Sequence, residues 1–189
     1  MTIAHPRKSW TYEDLLALPD DGKRYEIIEG ELFEMTGPNW DHGTVIFNLQ
    51  QLLTPFVLAL GGTIRTASVN VFLLGDNLVL PDLFAMLPGG AAPSVRGLEG
   101  PPDLVVEVLS PSNRDHDRYT KRALYGVAGV REYWIVDPEA RTVEVLTLHQ
   151  DALHSAGTFS GDARIPCQVL PEAAVAAADV FAGLDDIAP

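Results

Sequence analysis

The run Asp103-Leu104-Val105-Val106-Glu107-Val108-Leu109 constrains the fold more than any other stretch of the chain. It is short and mostly apolar, which is how a central strand buried on both faces reads. A Gly/Pro/Ala-rich loop from Pro88 to Pro102 leads into it, and Ser110-Pro111-Ser112-Asn113 offers a break followed by a helix N-cap. A strand of this kind needs packed layers above and below it, so the expectation is an α/β domain with a central mixed sheet flanked by helices.

The rest of the chain supplies candidates for those layers. Thr11 with Asp14 three residues on predicts a short capped helix that stops at Pro19. Arg24 to Ile28 and Glu31 to Met35 flank Glu29-Gly30 and predict an N-terminal β-hairpin. From Asp41 to about Leu60, Val45, Leu49, Leu52, Leu53 and Phe56 recur at helical spacing, with Pro55 as a candidate kink and Gly61-Gly62 as a stop. Two β-rich runs, Thr63 to Leu74 and Leu78 to Met86, are separated by Gly75-Asp76-Asn77, and a helix is expected from about Arg114 to Val127, ended by Gly129. Glu132 to Val136 and Thr142 to Leu148 read as strands around the Asp137-Pro138 turn. Pro171 predicts the start of an alanine-rich helix reaching Phe181, while Asp151 to Pro166 shows no clean period.

With 189 residues, 47% of them hydrophobic, the chain is expected to form one domain over 1–189, its core at about 10–184. No stretch reaches the roughly 18 uninterrupted apolar residues of a membrane span, and Met1 to Trp10 lacks a signal core, so a cytoplasmic protein without a membrane partner is expected. The single cysteine, Cys167, excludes an internal disulfide and the usual zinc spacings; a metal on a chain this rich in carboxylates would be a hard cation such as Mg2+ or Mn2+. A net charge of −13 argues against general nucleic-acid binding. The charge is uneven, however: residues 132–189 hold ten acids and two bases, whereas residues 41–131 hold eight acids and seven bases.

Alternation along a strand puts Asp103, Val105, Glu107 and Leu109 on one side and Leu104, Val106 and Val108 on the other. An ionised Glu107 in that apolar centre is costly unless a cation or strong donors meet it. Asp82, after Pro81, is a second acid in a nearly apolar run. Either acid alone is explained by a bond to a loop amide. Two on adjacent strands can converge on one hard cation.

The order helix, strand, strand with Pro-Asp, strand with Glu-x-x, helix, strand resembles the PD-(D/E)XK restriction-endonuclease-like superfamily. More narrowly, Arg24-Tyr25-Glu26-Ile27-Ile28-Glu29-Gly30-Glu31, His42, Pro81-Asp82, the run Pro102 to Ser112, Asp117 to Lys121 to Tyr125, and Gly129 to Asp137 are similar to the Uma family of restriction-endonuclease-like domains, over roughly Trp10 to Leu184. That resemblance implies a single three-layer nuclease fold and a DNA endonuclease, with Asp82 and Glu107 as metal-binding carboxylates and the Val108 carbonyl as a further ligand. It also implies a homodimer, since restriction-type nucleases commonly pair two sites. The superfamily expects a lysine two residues after the glutamate, where this chain has Leu109; Lys121, two turns into the next helix, is the expected replacement. Its role would be to hold and help deprotonate the attacking water, beside a cation polarising the phosphoryl oxygen. Read simply, Asp117 and Lys121 are an i,i+4 surface pair.

Other residues carry weaker signals. Glu26 and Glu31 could add an acid to the site or face solvent, and His42 could be a helix cap or a phosphate contact. Tyr125 is expected to pack in the core with its hydroxyl satisfied, and Tyr133 and Trp134 to be core or interface residues. Arg114, Arg118, Lys121, Arg122 and Arg131 could track a phosphate backbone or form a solvated face interleaved with Asp115 and Asp117. Two other functions fit the same residues: a non-catalytic interaction domain on this scaffold, and a metal-dependent hydrolase of smaller phosphodiesters.

Overall fold

A computed structural model describes residues 9–35, 37, 39–66, 69–110 and 114–184. The expected cap at Ser112 and Asn113 lies outside them.

The central layer is a six-stranded mixed sheet built on the Asp103 to Leu109 run. Strand β9 (Leu104–Val108) pairs in parallel with β10 (Glu132–Asp137) and antiparallel with β6 (Leu83–Met86). Outward from these lie β3 (Thr63–Thr66) on one side and β11 (Thr142–His149) with β12 (Ala152–Phe159) on the other, giving the order β12-β11-β10-β9-β6-β3. All five residues of β9 are buried, as a strand covered on both faces requires.

One face is covered by α2 (Trp40–Ala59), a 20-residue helix that continues through Pro55. Its buried positions, His42, Val45, Leu49, Leu53 and Val57, form one stripe at helical spacing. The four apolar ones join Leu83, Leu104, Val106, Val108 and Trp134 in a single core cluster. The opposite face meets a second six-stranded sheet, ordered β2-β1-β5-β4-β8-β7. There the expected hairpin, β1 (Arg24–Ile28) with β2 (Glu31–Met35), is extended by β5 (Asn77–Val79), β4 (Val71–Leu73) and the short pair β8 (Leu98–Glu99) and β7 (Ala92–Pro93). Glu29 and Gly30 both take positive φ, 52° and 76°, as a two-residue turn between tightly paired strands demands. Helix α1 (Tyr12–Leu16), with the predicted capping box of Thr11 and Asp14, packs with Trp10 on the outer side of this sheet against Ile27, Phe72 and Leu78.

The hairpin is thus one edge of a full sheet, which the strand patterns do not announce. Each β-rich run read as continuous is divided between the two sheets: Thr63 to Leu74 into β3 and β4, and Leu78 to Met86 into β5 and β6. The second break falls at Leu80-Pro81-Asp82, where proline cannot donate to a ladder. The helix expected at Arg114 to Val127 begins as a π-helical turn, His116–Lys121, and continues as α3 (Arg122–Ala128), closed by Gly129 in the left-handed conformation.

The alanine-rich helix expected after Pro171 is reduced to α4 (Ala177–Val180). Ile165 N–H donates to the Val175 carbonyl and Ala177 N–H to that of Ala163, so tertiary pairing takes backbone groups that a longer helix would use. Residues 152–159 form an edge strand exposed along most of both sides, which explains the missing period.

Candidate active site

The pairing of β6 with β9 brings the two anomalous acids together. Leu83 lies opposite Val106, so Asp82, one residue before β6, arrives beside Glu107. The Asp82 N–H donates to Glu107 Oε2 across 3.4 Å, and the Val108 N–H donates to Asp82 Oδ2 at 2.8 Å. Glu107 points to the face shared by Val105 and the second sheet, away from α2, as strand alternation predicts.

Lys121 reaches the same place. Its Nζ stands 3.0 Å from Glu107 Oε1, 2.9 Å from Glu26 Oε1 and 3.3 Å from Asp117 Oδ1. Lys121, Asp117 and Glu26 are all fully buried, so the surface-pair reading of Asp117 and Lys121 does not hold. The π-helical turn sets their phase: it carries Asp117 and Lys121 into the cluster and brings His116 Nε2 to 3.3 Å from Glu26 Oε2. Wide turns of this kind concentrate at functional sites. Glu26 comes from β1 and accepts a further bond from the Leu80 N–H at 2.8 Å, tying the second sheet to the residues that lead into Asp82.

Tyr125, one turn after Lys121, packs its ring in the core as expected and donates its hydroxyl to Glu107 Oε1 at 2.7 Å. Leu109 is buried among apolar neighbours where the superfamily pattern places its lysine, and the helix-borne Lys121 lies at the glutamate instead. His42 is not the helix cap. Asn39 fills that role by accepting from the His42 backbone N–H, and the imidazole Nε2 lies 3.1 Å from Asp82 Oδ2.

The electrostatics follow from four acids around one lysine. Burial raises the Glu107 carboxyl well above the usual range; Lys121 opposes this, and Asp117, Asp82 and Glu26 add to it. Burial likewise brings Asp117 up to about 6, against Lys121 and with Asp82 and Glu26. Glu26 goes the other way: burial would raise it, but the charge of Lys121 and the bonds from His116, Leu80 and Lys121 hold it at about 2. Lys121 is raised well above its ordinary value, because Glu107, Glu26, Asp117 and Asp82 together overcome the burial that would lower it. Neither oxygen of Asp117 has a hydrogen-bond partner in the described structure, so its ion pair with Lys121 is what holds it. The cluster therefore carries more carboxylate than one ammonium balances. An all-oxygen donor set with excess negative charge fits a hard divalent cation. Among the described residues no three His, Cys, Asp or Glu side chains are already gathered as an ion cage.

The remaining candidates fall outside this centre. Glu31 is exposed at the start of β2, and Tyr133 and Trp134 are fully buried. The basic cluster is engaged within the fold: Arg114 pairs with Asp137 and Glu139, Arg118 with Asp137 and Glu144, and Arg131 with Asp103, while Arg122 donates to the Leu153 carbonyl. His116 and the part played by Asp117 were not singled out from sequence. Asp117 matches an ordinary i,i+4 spacing, and His116 has no pattern pointing across to another sheet.

The family model for Uma2, described as "Putative restriction endonuclease", matches residues 12–178. Among solved structures, a crystal structure described as a "putative nuclease belonging to DUF820 from Anabaena variabilis ATCC 29413" aligns with a TM-score of 0.76. That alignment covers 91% of this chain and 97% of the other at 20% identity, a likeness of fold. A search of curated proteins found no match.

Proposed function

The chain belongs to the Uma2 family of "putative restriction endonucleases", and from that premise we propose that it is a metal-dependent endonuclease that hydrolyses phosphodiester bonds of DNA in the cytoplasm. The observation that carries the proposal is the convergence of Asp82 from just before β6, Glu107 from β9 and Lys121 from the π-helical turn, with acid in excess over lysine.

In this reading Asp82, Glu107 and the Val108 carbonyl hold Mg2+ or Mn2+. When bound, the ion supplies a Lewis acid for a phosphoryl oxygen and lowers the pKa of water. The protein's own groups do the rest. Tyr125 and Lys121 fix the orientation of Glu107 through one oxygen, and leave Oε2 with only the long contact from Asp82 N–H. Glu26 and Asp117 hold Lys121 in place. Its carboxylate neighbours raise Lys121 well above its ordinary value, so in this reading it stands beside the metal carboxylates as a fixed cation.

A second reading, a hydrolase of smaller phosphodiesters, is favoured by one observation: the bases of the Arg114 to Arg131 segment are engaged within the fold and do not form an open phosphate track.

The test is calorimetric Mn2+ binding by the wild type, Asp82→Ala and Glu107→Ala, with plasmid nicking and hydrolysis of a small phosphodiester measured on the same samples. Binding and nicking that vanish in both variants are expected; hydrolysis of the small ester alone would move the substrate class. A wild type that binds no Mn2+ and cuts nothing would sink the enzyme reading in favour of an interaction domain. We extend the proposal to a homodimer that pairs two sites on two strands, which light scattering would register as twice the chain mass.

A further inference from the structure

We infer that His42 is a positioning residue for the Asp82 carboxylate, turning it so that Oδ1 is the oxygen offered to a cation; the inference rests on the reading of Asp82 as a metal ligand. Oδ2 of Asp82 accepts from the Val108 N–H at 2.8 Å and lies 3.1 Å from His42 Nε2. For this contact to be a hydrogen bond to a carboxylate oxygen, which only accepts, Nε2 is the ring nitrogen that carries the proton. With two donors on Oδ2, rotation of the carboxylate would break both bonds, and Oδ1 meets no donor among the described residues.

Three features separate this from incidental packing. His42 stands on the buried stripe of α2 with Val45 and Leu49, so the docking of a 20-residue helix on the central sheet sets the position of the ring. The side chain is 10% exposed, which shields the contact with Asp82 from water. The other ring nitrogen, Nδ1, is buried with no hydrogen-bond partner in the described structure. A buried acceptor left bare costs about 1–3 kcal/mol, so stability alone does not favour a histidine here over an apolar side chain of similar size. What histidine adds is the N–H on Oδ2. Partners that orient a metal ligand from behind change metal affinity by about 10- to 100-fold.

The test compares His42→Phe, which keeps the volume and loses the donor, with His42→Gln, which keeps a donor at similar reach. Mn2+ affinity is measured by calorimetry on the whole chain, and thermal melts run alongside. Positioning predicts Mn2+ binding about 10- to 100-fold weaker in His42→Phe, a melting point that does not fall, and affinity near wild type in His42→Gln. If His42→Phe does not fold, His42→Asn, polar but too short to reach Oδ2, gives the same weakening. Wild-type affinity in the Phe or Asn variant overturns the role while leaving the metal reading intact. A wild type that binds no Mn2+ overturns the metal reading and this role with it.

Discussion

At the level of single residues the site is a problem of charge balance, and Lys121 is its centre. Removing one partner of a buried ion pair leaves the other uncompensated and costs about 3–5 kcal/mol. Lys121→Met should therefore lower the urea midpoint at pH 7 well below that of the wild type. The deficit should shrink at pH 5, where Asp117, brought up to about 6, takes up its proton and the raised Glu107 leans the same way. An equal deficit at both values would show that the lysine is not balancing those acids. Asp117→Asn should act in the opposite sense. The Asp117 carboxyl titrates at about 6 in the fold against 3.8 as a free side chain. The folded state thus binds the proton more tightly, and stability from this group is fully present below about pH 4 and lost as pH rises through 6. The asparagine variant should be more stable than wild type by about 1–3 kcal/mol at pH 7 and equal to it near pH 4. Denaturant melts at the two pH values decide it. Asp82 and Glu107 were legible in the sequence because a carboxylate inside an apolar run is an anomaly by itself. Lys121 needed the family resemblance as well, and the burial of Glu26 depends on a second sheet whose assembly is not local.

At the level of elements, local pattern named most helices and strands, and tertiary pairing decided where they stop. The Leu78 to Met86 run changes sheets at Pro81, and the alanine-rich segment after Pro171 gives its backbone to residues 163–165 in place of a helix. The chain just before Pro171 is fastened by one buried acid. Glu132, fully buried on β10, accepts from Trp134 Nε1 at 2.7 Å and from the Val169 N–H at 3.0 Å, with Cys167 Sγ at 3.5 Å. Burial, and then Glu132 itself, pushes the Cys167 thiol up to about 12. Glu132→Ala strands two buried donors, at about 2–6 kcal/mol together, and removes a negative charge beside the thiol. A local opening made easier by about 1.4 kcal/mol is ten times more populated, so labelling of Cys167 by a thiol reagent should speed up by at least about tenfold. Unchanged labelling would mean that the segment is held by its apolar contacts alone.

At the level of the whole molecule the charge of −13 and the nuclease proposal pull against each other, and the ion pairs say how far. Among the described residues, Lys23, Arg96, Arg114, Arg118, Lys121 and Arg131 each pair with a carboxylate of the same chain. A paired base releases few counterions when DNA approaches, because the field it would offer a phosphate is already neutralised. Binding driven by free cations loses affinity with salt at a logarithmic slope of about −0.9 per phosphate contacted, and binders that make 6–10 such contacts show correspondingly steep slopes. If DNA is held here mainly at the carboxylate centre through a divalent ion, the slope should lie between zero and about −2. The remaining repulsion, being long-range, should also weaken as salt shortens the screening length. Anisotropy titrations of labelled DNA with Asp82→Asn and Glu107→Gln, each against wild type, over a range of salt at fixed Mn2+ would measure it. A steep slope that survives both substitutions would place the DNA on basic residues away from the centre, whereas a shallow slope with binding lost in both variants ties DNA affinity to the acids that make the site.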